Sequence, residues 1–231
     1  MQLSKRMQRL ASCVTENNRL ADVGTDHGYI PIHLVLERKI PSAIAMDVNK
    51  GPLERARSHI HEYGLDTYIE TRLSDGLTRL GPGEADTVLI AGMGGALTVR
   101  ILTGGAHCLD TVKELILQPQ SEIHLVRDWL CGHGFRIGLE DLVLDGGKYY
   151  PLMRAVHGKT DALTDAERYY GSAAVQRSPE VLRAYLLAET DKNEKIIGLL
   201  QKNRQSESVK MQKLQEKKER LHAMMSELFL N

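Results

Sequence analysis

The sequence of 231 residues contains few cysteines, few aromatic residues and no long apolar run. Its three cysteines, Cys13, Cys108 and Cys131, are too few and too scattered for a disulfide framework, so we expect a reducing, cytoplasmic compartment. No stretch approaches the roughly 20 apolar residues that a membrane span needs. The first residues mix charges into an apolar pattern, unlike the hydrophobic region of a signal peptide. We therefore expect neither a membrane protein nor a secreted one.

The sequence has no excess of either charge, because 30 Lys and Arg residues balance 30 Asp and Glu residues. This balance excludes a uniformly basic nucleic-acid-binding protein but permits local basic patches. Two such runs occur. The first is Lys5, Arg6 and Arg9, and the second includes Lys202, Arg204, Lys210, Lys213, Lys217, Lys218 and Arg220, set against Glu207, Glu216 and Glu219. Each run is either a solvated helix face or a surface for an anionic partner.

What the sequence does contain is an alternation of short apolar segments with helical patterns. Seven segments are typical of strands: residues 20–24, 42–48, 68–73, 86–91, 114–118, 136–144 and 149–156. The first five alternate with helical patterns, which indicates βαβ units and a parallel sheet. The last two flank a tight turn around Asp145–Gly147, so they must pair antiparallel. We predict an α/β, doubly wound sheet over residues 1–159, with ligands bound beyond the carboxyl ends of the strands.

The pattern changes near residue 160, where strands end and amphipathic helices begin. Apolar residues from Val181 to Leu200 fit one helix, and a second set from Met211 to Leu228 has the three- and four-residue spacing of a coiled coil, with Lys218 at one seam position. We predict a helical domain over residues 160–231. Residues 203–208 either turn the chain back into an antiparallel hairpin or continue a long helix that pairs with a second subunit.

The loops that follow the strands carry the candidate chemistry. Asp22 and Gly24 begin the first loop, Asp47 follows the second strand, Asp75–Gly76 the third, Ala91–Gly95 the fourth and Gln118–Gln120 the fifth. Because the carboxyl ends of parallel strands share one edge of a sheet, these loops should line one crevice. A carboxylate some 20 residues beyond the first glycine is suited to ribose hydroxyls, as in dinucleotide-binding folds. The pattern predicts a ligand that contains a nucleoside.

The first loop distinguishes between possible cofactors. It lacks Gly-x-Gly-x-x-Gly because Asp26 stands where the second glycine would be. A carboxylate there would repel a pyrophosphate, whereas Asp22 and Asp26 would attract a cationic sulfonium and amino group. This argues against NAD and for S-adenosylmethionine.

Several segments of the chain resemble the bacterial tRNA (adenine-22-N1)-methyltransferase family of the TrmK type. The resemblance rests on LSKRMQRLASCV, LADVGTDHGYIPIHL, AMDVNKGPLERA, SDGL, LIAGMGG and ILQPQ, together with the terminal helices. It implies a Rossmann-like class I methyltransferase with a seven-stranded sheet, a C-terminal coiled-coil hairpin, S-adenosylmethionine as cofactor and a tRNA adenine as acceptor. The implied cofactor-binding residues are Asp22, Gly24, His27, Gly28, Asp47, Val48, Asn49, Asp75, Gly76, Ala91, Gly92 and Met93.

The implied acceptor atom, adenine N1, has an in-plane lone pair and needs no deprotonation, so positioning should account for much of the catalysis. We predict that Asp26 stabilises the positive charge that develops on the base, while His27 and Tyr29 position or stack on it. The acceptor must be flipped out of its stack. The basic runs then become candidate tRNA contacts, in particular Lys5, Arg6, Arg9, Lys210, Lys213, Lys217 and Lys218.

Other chemistries have weaker support. The three cysteines lie outside the crevice loops and are more typical of packing than of nucleophilic catalysis. His59 and His61 do not share a helix face, so we predict no metal site. Two rival functions stay open at this point: a methyltransferase for small molecules with a dimerising helical tail, and a non-catalytic RNA-binding protein built on a nucleotide-binding fold.

Overall fold

A computed structural model describes residues 1–160, 162–203 and 208–230. The strands are β1 (Leu20–Val23), β2 (Ala43–Asp47), β3 (Ile69–Leu73), β4 (Thr87–Ala91), β5 (Glu114–Gln118), β6 (Phe135–Asp145) and β7 (Lys148–His157). The helices are α1 (Lys5–Cys13), α2 (Tyr29–Leu36), α3 (Lys50–Glu62), α4 (Gly95–Gly104), α5 (Ala106–Leu109), α6 (Ile123–Gly132), α7 (Asp165–Tyr170), α8 (Pro179–Lys202) and α9 (Val209–Leu230). Among the helices that the structure describes, none is both long enough and apolar enough to cross a bilayer.

The seven strands form one sheet in the order β3-β2-β1-β4-β5-β7-β6. Strands β1 to β5 are parallel, and β7 runs antiparallel to both β5 and β6. This confirms the doubly wound sheet with its final antiparallel pair. The strand order reverses between β1 and β4, which is where open α/β sheets bind ligands.

The central strands are apolar because helices cover both of their faces. All four residues of β1 and all five of β5 are buried. One core cluster includes Val88, Leu102 and Trp129, whereas the other includes Leu10, Ile32 and Leu89. Alternate residues of each strand therefore supply opposite faces, as the continuous apolar runs predict.

The turn between β6 and β7 consists of Gly146 and Gly147, with φ of 55° and 76°. Two consecutive residues with positive φ are typical of a tight hairpin whose twist matches that of its strands, and glycine adopts this conformation without steric cost. The sequence prediction of a turn at this point is confirmed.

The C-terminal helices form an antiparallel hairpin. The end of α8 packs on the start of α9 through Ile197, Leu200 and Met211. The start of α8 packs near the end of α9, where Leu182 and Leu186 join a cluster with Leu221 and Met224. This arrangement decides between the two alternatives that the sequence left open. The predicted connection falls partly on residues 204–207, which include Arg204 and Glu207 of the basic run and lie outside the described residues.

The seam of this hairpin differs in detail from the coiled-coil register. Met224 is fully buried although the predicted seam does not include it, whereas Met225, which the seam includes, is only half-buried. Lys218, which occupies a seam position in the sequence pattern, forms an ion pair with Glu194 at 3.1 Å. A lysine is accommodated there because its long stem can pack while the ammonium group reaches a carboxylate at the edge.

The helical part packs directly on the sheet. Leu142 of β6 and Tyr149 of β7 belong to the same apolar cluster as Leu182 and Leu221. Arg127 of α6 also donates to the carbonyl oxygen of Arg168 in α7 at 2.9 Å. The division into two domains at residues 159 and 160 stays a prediction. The contacts across it are apolar, aromatic and hydrogen-bonded.

Candidate active site

The loop after β1 is folded toward β2. The backbone N–H groups of Gly24 and Thr25 both donate to the carbonyl oxygen of Met46, at 2.8 and 2.9 Å. Gly24 has φ of 77°, and a Cβ atom added there would collide with the Met93 methyl group. The position therefore favours glycine for its positive φ, and a side chain there would also displace the end of Met93.

Asp22 is a buried carboxylate at the end of β1. Burial, which strips water from the ionised form, raises its pKa from 3.8 to about 6, and the nearby charge of Asp47 adds to this rise. Asp47 closes β2, and its Oδ1 accepts a hydrogen bond from the backbone N–H of Asn49 at 2.8 Å. The two acids thus form a small negative region between the ends of neighbouring strands. Val48 and Asn49 continue outward from it as exposed residues.

Asp26, His27 and Tyr29 occupy the turn that leads into α2. His27 has φ of 68°, and its ring lies parallel to that of Tyr29 with centroids 5.1 Å apart. The ring of His59 from α3 stacks on the same pair, 5.2 Å from His27. Asp26 is largely exposed and accepts a hydrogen bond from Arg55 at 2.8 Å. Gly28, with φ of 70°, precedes the first residue of α2.

The loops after β3 and β4 complete the edge. Asp75 is exposed, with Arg100 at 3.4 Å, and Gly76 has φ of 58° with its backbone close to Ile101. Gly92 also has positive φ, 79°, directly after Ala91 ends β4. Ala91 and Gly92 expose backbone to the crevice without a large side chain.

A cavity of about 280 Å³ lies at this edge, between the ends of β1 and β4. Six of the predicted site residues line it: Asp22, Gly24, Asp26, Tyr29, Ala91 and Gly92. The others lie around it and outside its lining: His27, Gly28, Asp47, Val48, Asn49, Asp75, Gly76 and Met93. The fold thus brings the first and fourth loops into one concave site. In residues 1–160, 162–203 and 208–230, no group of three or more His, Cys, Asp and Glu side chains is placed to hold a metal ion.

Comparisons with known proteins agree with this geometry. Residues 3–153 match the family model described as a methyltransferase domain. The tRNA (adenine(22)-N(1))-methyltransferase of Bacillus subtilis (strain 168) is 38% identical over 165 residues, which cover 71% of this chain and 69% of that protein. The chain belongs to the TrmK family of tRNA (adenine-22-N1)-methyltransferases.

Two solved structures have the same fold over nearly the whole chain. TrmK of M. capricolum, in complex with S-adenosyl-homocysteine, is 26% identical with a TM-score of 0.87, covering 99% of this chain and 100% of that chain. A Streptococcus pneumoniae structure in complex with S-adenosyl-L-methionine is 32% identical with a TM-score of 0.85, covering 97% and 100%. The likeness of this TrmK family member to both includes the C-terminal helices.

One basic residue of the TrmK family chain has a place that sequence reasoning missed. Arg6 of α1 lines the cavity, and its Nη1 donates to Oε1 of Gln118 at 2.9 Å. Its backbone N–H donates to Asp145 at 3.0 Å, and its guanidinium lies 5.1 Å from the ring centroid of Tyr150. The sequence contained both Arg6 and the loop with Gln118, but nothing in it indicated that α1 brings the Arg6 side chain to the end of β5.

Arg9 is likewise engaged inside the TrmK family fold. Its Nε lies 2.7 Å from Oδ2 of Asp141, a carboxylate that is fully buried in β6. A buried carboxylate needs such a partner because an unpaired charge in the interior is costly. Of the first basic run, Lys5 is the exposed member, whereas Arg6 and Arg9 are half-buried.

Proposed function

We propose that this chain transfers a methyl group from S-adenosylmethionine to N1 of adenine 22 in tRNA, with the base flipped into the crevice. The observation that carries the proposal is the 38% identity with the Bacillus subtilis enzyme of that activity. The methyltransferase-domain match over residues 3–153 includes every residue that lines the cavity. The cavity lies at the switch point of the sheet, where this fold class binds its ligands.

The residues present fit S-adenosylmethionine on the chemistry of their donor set. Asp22 is a buried acid in the cavity wall, with Asp47 beside it, so a cationic ligand would be attracted and a pyrophosphate repelled. Gly24 and Gly92 present backbone in positive-φ conformations that side chains rarely adopt. We propose that Asp22, Gly24, His27 and Gly28 hold the methionine portion, Asp47, Val48 and Asn49 the ribose, Asp75 and Gly76 the adenine, and Ala91, Gly92 and Met93 the methyl side.

When bound, S-adenosylmethionine supplies an electrophilic methyl group. The acceptor N1 is already nucleophilic, so the chain has to orient the base, exclude water and stabilise the positive charge of the product. Asp26 is suited to the last task because it lines the cavity together with Asp22 and Gly92. The stacked rings of His27 and Tyr29 offer a flat surface next to it. These roles are part of the proposal.

The Asp26 role is tested by single-turnover methyl transfer with S-adenosylmethionine saturating. For Asp26→Asn we expect a rate about 100- to 1,000-fold lower, the range typical of losing one group that stabilises charge in a transition state. Arg55→Gln is the matched control, because it removes the ion pair with Asp26 and keeps the carboxylate. Equal rate losses in the two variants, or a wild-type rate in Asp26→Asn, would remove Asp26 from the chemistry.

The tRNA body should contact the exposed lysines of the hairpin. Lys210 and Lys213 are exposed on α9, whereas Lys217 and Lys218 pair with Glu189 and Glu194. We therefore place the stronger phosphate contacts at Lys210 and Lys213 and weaker ones at the paired lysines. On α1, Lys5 is more available than Arg6 or Arg9, which are held by Gln118 and Asp141.

This surface is tested by the double substitution Lys210→Glu and Lys213→Glu. We expect weaker tRNA binding and a salt dependence shallower by about 1.4 to 1.8 in slope, from 0.7 to 0.9 per lost phosphate contact. The control is the double substitution Arg136→Glu and Lys159→Glu, which changes the charge by the same amount. These residues lie at the other ends of the strands from the crevice, where β6 begins and β7 ends. Unchanged affinity and slope in the first variant would assign the hairpin a structural role only.

The activity itself is tested by incubating the purified protein with unmodified tRNA and labelled S-adenosylmethionine and mapping the modified nucleoside. We expect 1-methyladenosine at position 22 and nowhere else. Label transferred to metabolites in place of tRNA would favour a small-molecule methyltransferase. Tight S-adenosylmethionine binding without turnover on any RNA would favour a binding protein.

A further inference from the structure

A second cavity of about 120 Å³ lies next to the first, between the sheet and the C-terminal helices. Gln120, in the loop after β5, lines both cavities. The second cavity is about ten times the 10–15 Å³ that a single water molecule requires, so it has room for a ring-sized ligand. Anything bound there would be an immediate neighbour of the transfer site.

The wall of this cavity is aromatic in a chain with few aromatic residues. Four of the eight tyrosines line it: Tyr149, Tyr169, Tyr170 and Tyr185. They come from β7, α7 and α8, which only the folded chain brings together. All four are half-buried, so their rings are neither sealed in the core nor free in solvent. We call this site the tyrosine pocket.

The rings of the tyrosine pocket are held in place by their neighbours. The ring centroids of Tyr149 and Tyr185 are 5.1 Å apart at an angle of 59°, a favourable tilted arrangement of aromatic pairs. Burial raises the pKa of Tyr185 to about 12 and that of Tyr170 further, so both hydroxyl groups stay neutral at physiological pH. The pocket therefore presents rigid, uncharged aromatic surfaces.

The charged side chains of the pocket are all held in ion pairs. Arg127 and Glu140, both buried, neutralise each other through hydrogen bonds of 2.8 and 3.2 Å. Asp141, which also lines the pocket, forms an ion pair with Arg9 at 2.7 Å. The buried Oε1 of Gln176 has no hydrogen-bond partner among the residues that the structure describes. A buried acceptor without a donor is unfavourable on its own, and a ligand N–H group would satisfy it.

We infer that the tyrosine pocket receives a second nucleobase of the tRNA, adjacent to the methylated adenine and carrying an exocyclic amino group. Planar rings stack on tyrosines, and the amino group would donate to Gln176. The charged side chains of the wall, Arg127, Glu140 and Asp141, are all held in ion pairs, which suits a neutral base. Flipping the target base unstacks its neighbour, which leaves that neighbour free to enter a site next to the crevice. The inference rests on the proposed tRNA methyltransferase function.

The first test replaces Gln176 with leucine. This substitution removes a buried acceptor that lacks a partner, so the free protein should unfold at an unchanged or higher temperature. We expect tRNA to bind about fivefold more weakly, the equivalent of one lost hydrogen bond of about 1 kcal/mol, with S-adenosylmethionine affinity unchanged. Weaker binding with undiminished stability cannot come from misfolding. Wild-type tRNA affinity would overturn the inference.

The second test follows the neighbouring base directly. 2-Aminopurine is placed in the tRNA on either side of the target adenine, one position at a time. We expect fluorescence quenching at one position on binding to the wild type and to Tyr149→Phe, which keeps the ring. For Tyr149→Leu we expect the quenching to be lost and the KM for tRNA to rise about 5- to 150-fold. Tyr68→Leu, at the opposite edge of the sheet, is the control and should behave as the wild type.

Different results would overturn the proposed function and the assignment of the tyrosine pocket. If the wild type forms no 1-methyladenosine, the proposed function fails and the pocket inference loses its premise. If the wild type methylates position 22 while neither neighbouring position is quenched, or Tyr149→Leu quenches as the wild type does, only the assignment of the tyrosine pocket is overturned.

Discussion

Asp22 should couple both stability and cofactor binding to pH near 6. Its pKa is 3.8 in an ordinary environment and about 6 in the folded chain, because burial disfavours the ionised carboxylate. The folded state therefore binds this proton more tightly than the unfolded state does. The corresponding stability is fully present below pH 3.8 and is lost as the pH rises to 6. With 1.36 kcal/mol per pKa unit, the loss above pH 6 is about 3 kcal/mol.

Asp22→Asn removes this titration. The difference in unfolding free energy between variant and wild type should grow by about 2.5 kcal/mol in favour of the variant between pH 4 and pH 8, since a small part of the effect is already present at pH 4. Urea unfolding of both proteins at pH 4, 6 and 8 measures this free-energy difference. Any effect of the amide itself is the same at every pH, so the test is how the difference varies with pH. A difference that stays flat with pH would refute the reasoning.

The same carboxylate should set the pH dependence of cofactor affinity. If the cationic ligand binds the ionised form of Asp22, only about one molecule in eleven is competent at pH 5, so the dissociation constant should be about tenfold higher there than at pH 8. Calorimetric titration of S-adenosylmethionine between pH 5 and 8 measures this. Neutral 5′-methylthioadenosine should show a shallower profile, and Asp22→Asn should bind weakly at every pH. An S-adenosylmethionine affinity that is constant across this range would contradict the assignment.

Three further predictions concern buried polar contacts. Arg9→Met should lower the unfolding free energy by about 3–5 kcal/mol in urea titrations, because it leaves Asp141 buried without its cation, and adding Asp141→Leu should restore part of it. Gly171→Ala should cost about 1–3 kcal/mol or more, seen as a lower Tm, because φ is 88° and the new Cβ would collide with the Glu140 carboxylate. Asn193→Leu should raise the Tm, since the buried amide oxygen of Asn193 has no partner among the described residues. The distribution of spin-label distances between α8 and α9 should broaden in this variant, because the polar side chain that fixes their register is gone.

The sequence determined the sheet and the crevice loops because both depend on local pattern. Apolar runs bounded by glycine or proline predict buried strands, and parallel strands place their following loops at one edge whatever the helices between them do. Asp22, Gly24 and Gly92 could therefore be assigned to one site without coordinates. Asp26 in place of a second glycine was enough to favour a cationic, phosphate-free cofactor.

Only the tertiary structure decided how distant segments meet at that edge. Arg6 reaches Gln118 from 112 residues away, and no local periodicity encodes such a pairing. The hairpin was likewise undecidable from its spacing, because the same apolar seam can be covered by the chain itself or by a second copy. Tyrosines from β7, α7 and α8 form one pocket only because α8 and α9 bury their seam against Leu142 and Tyr149. Local pattern fixes which face of each element is apolar, whereas the choice of the surface that covers it depends on the whole fold.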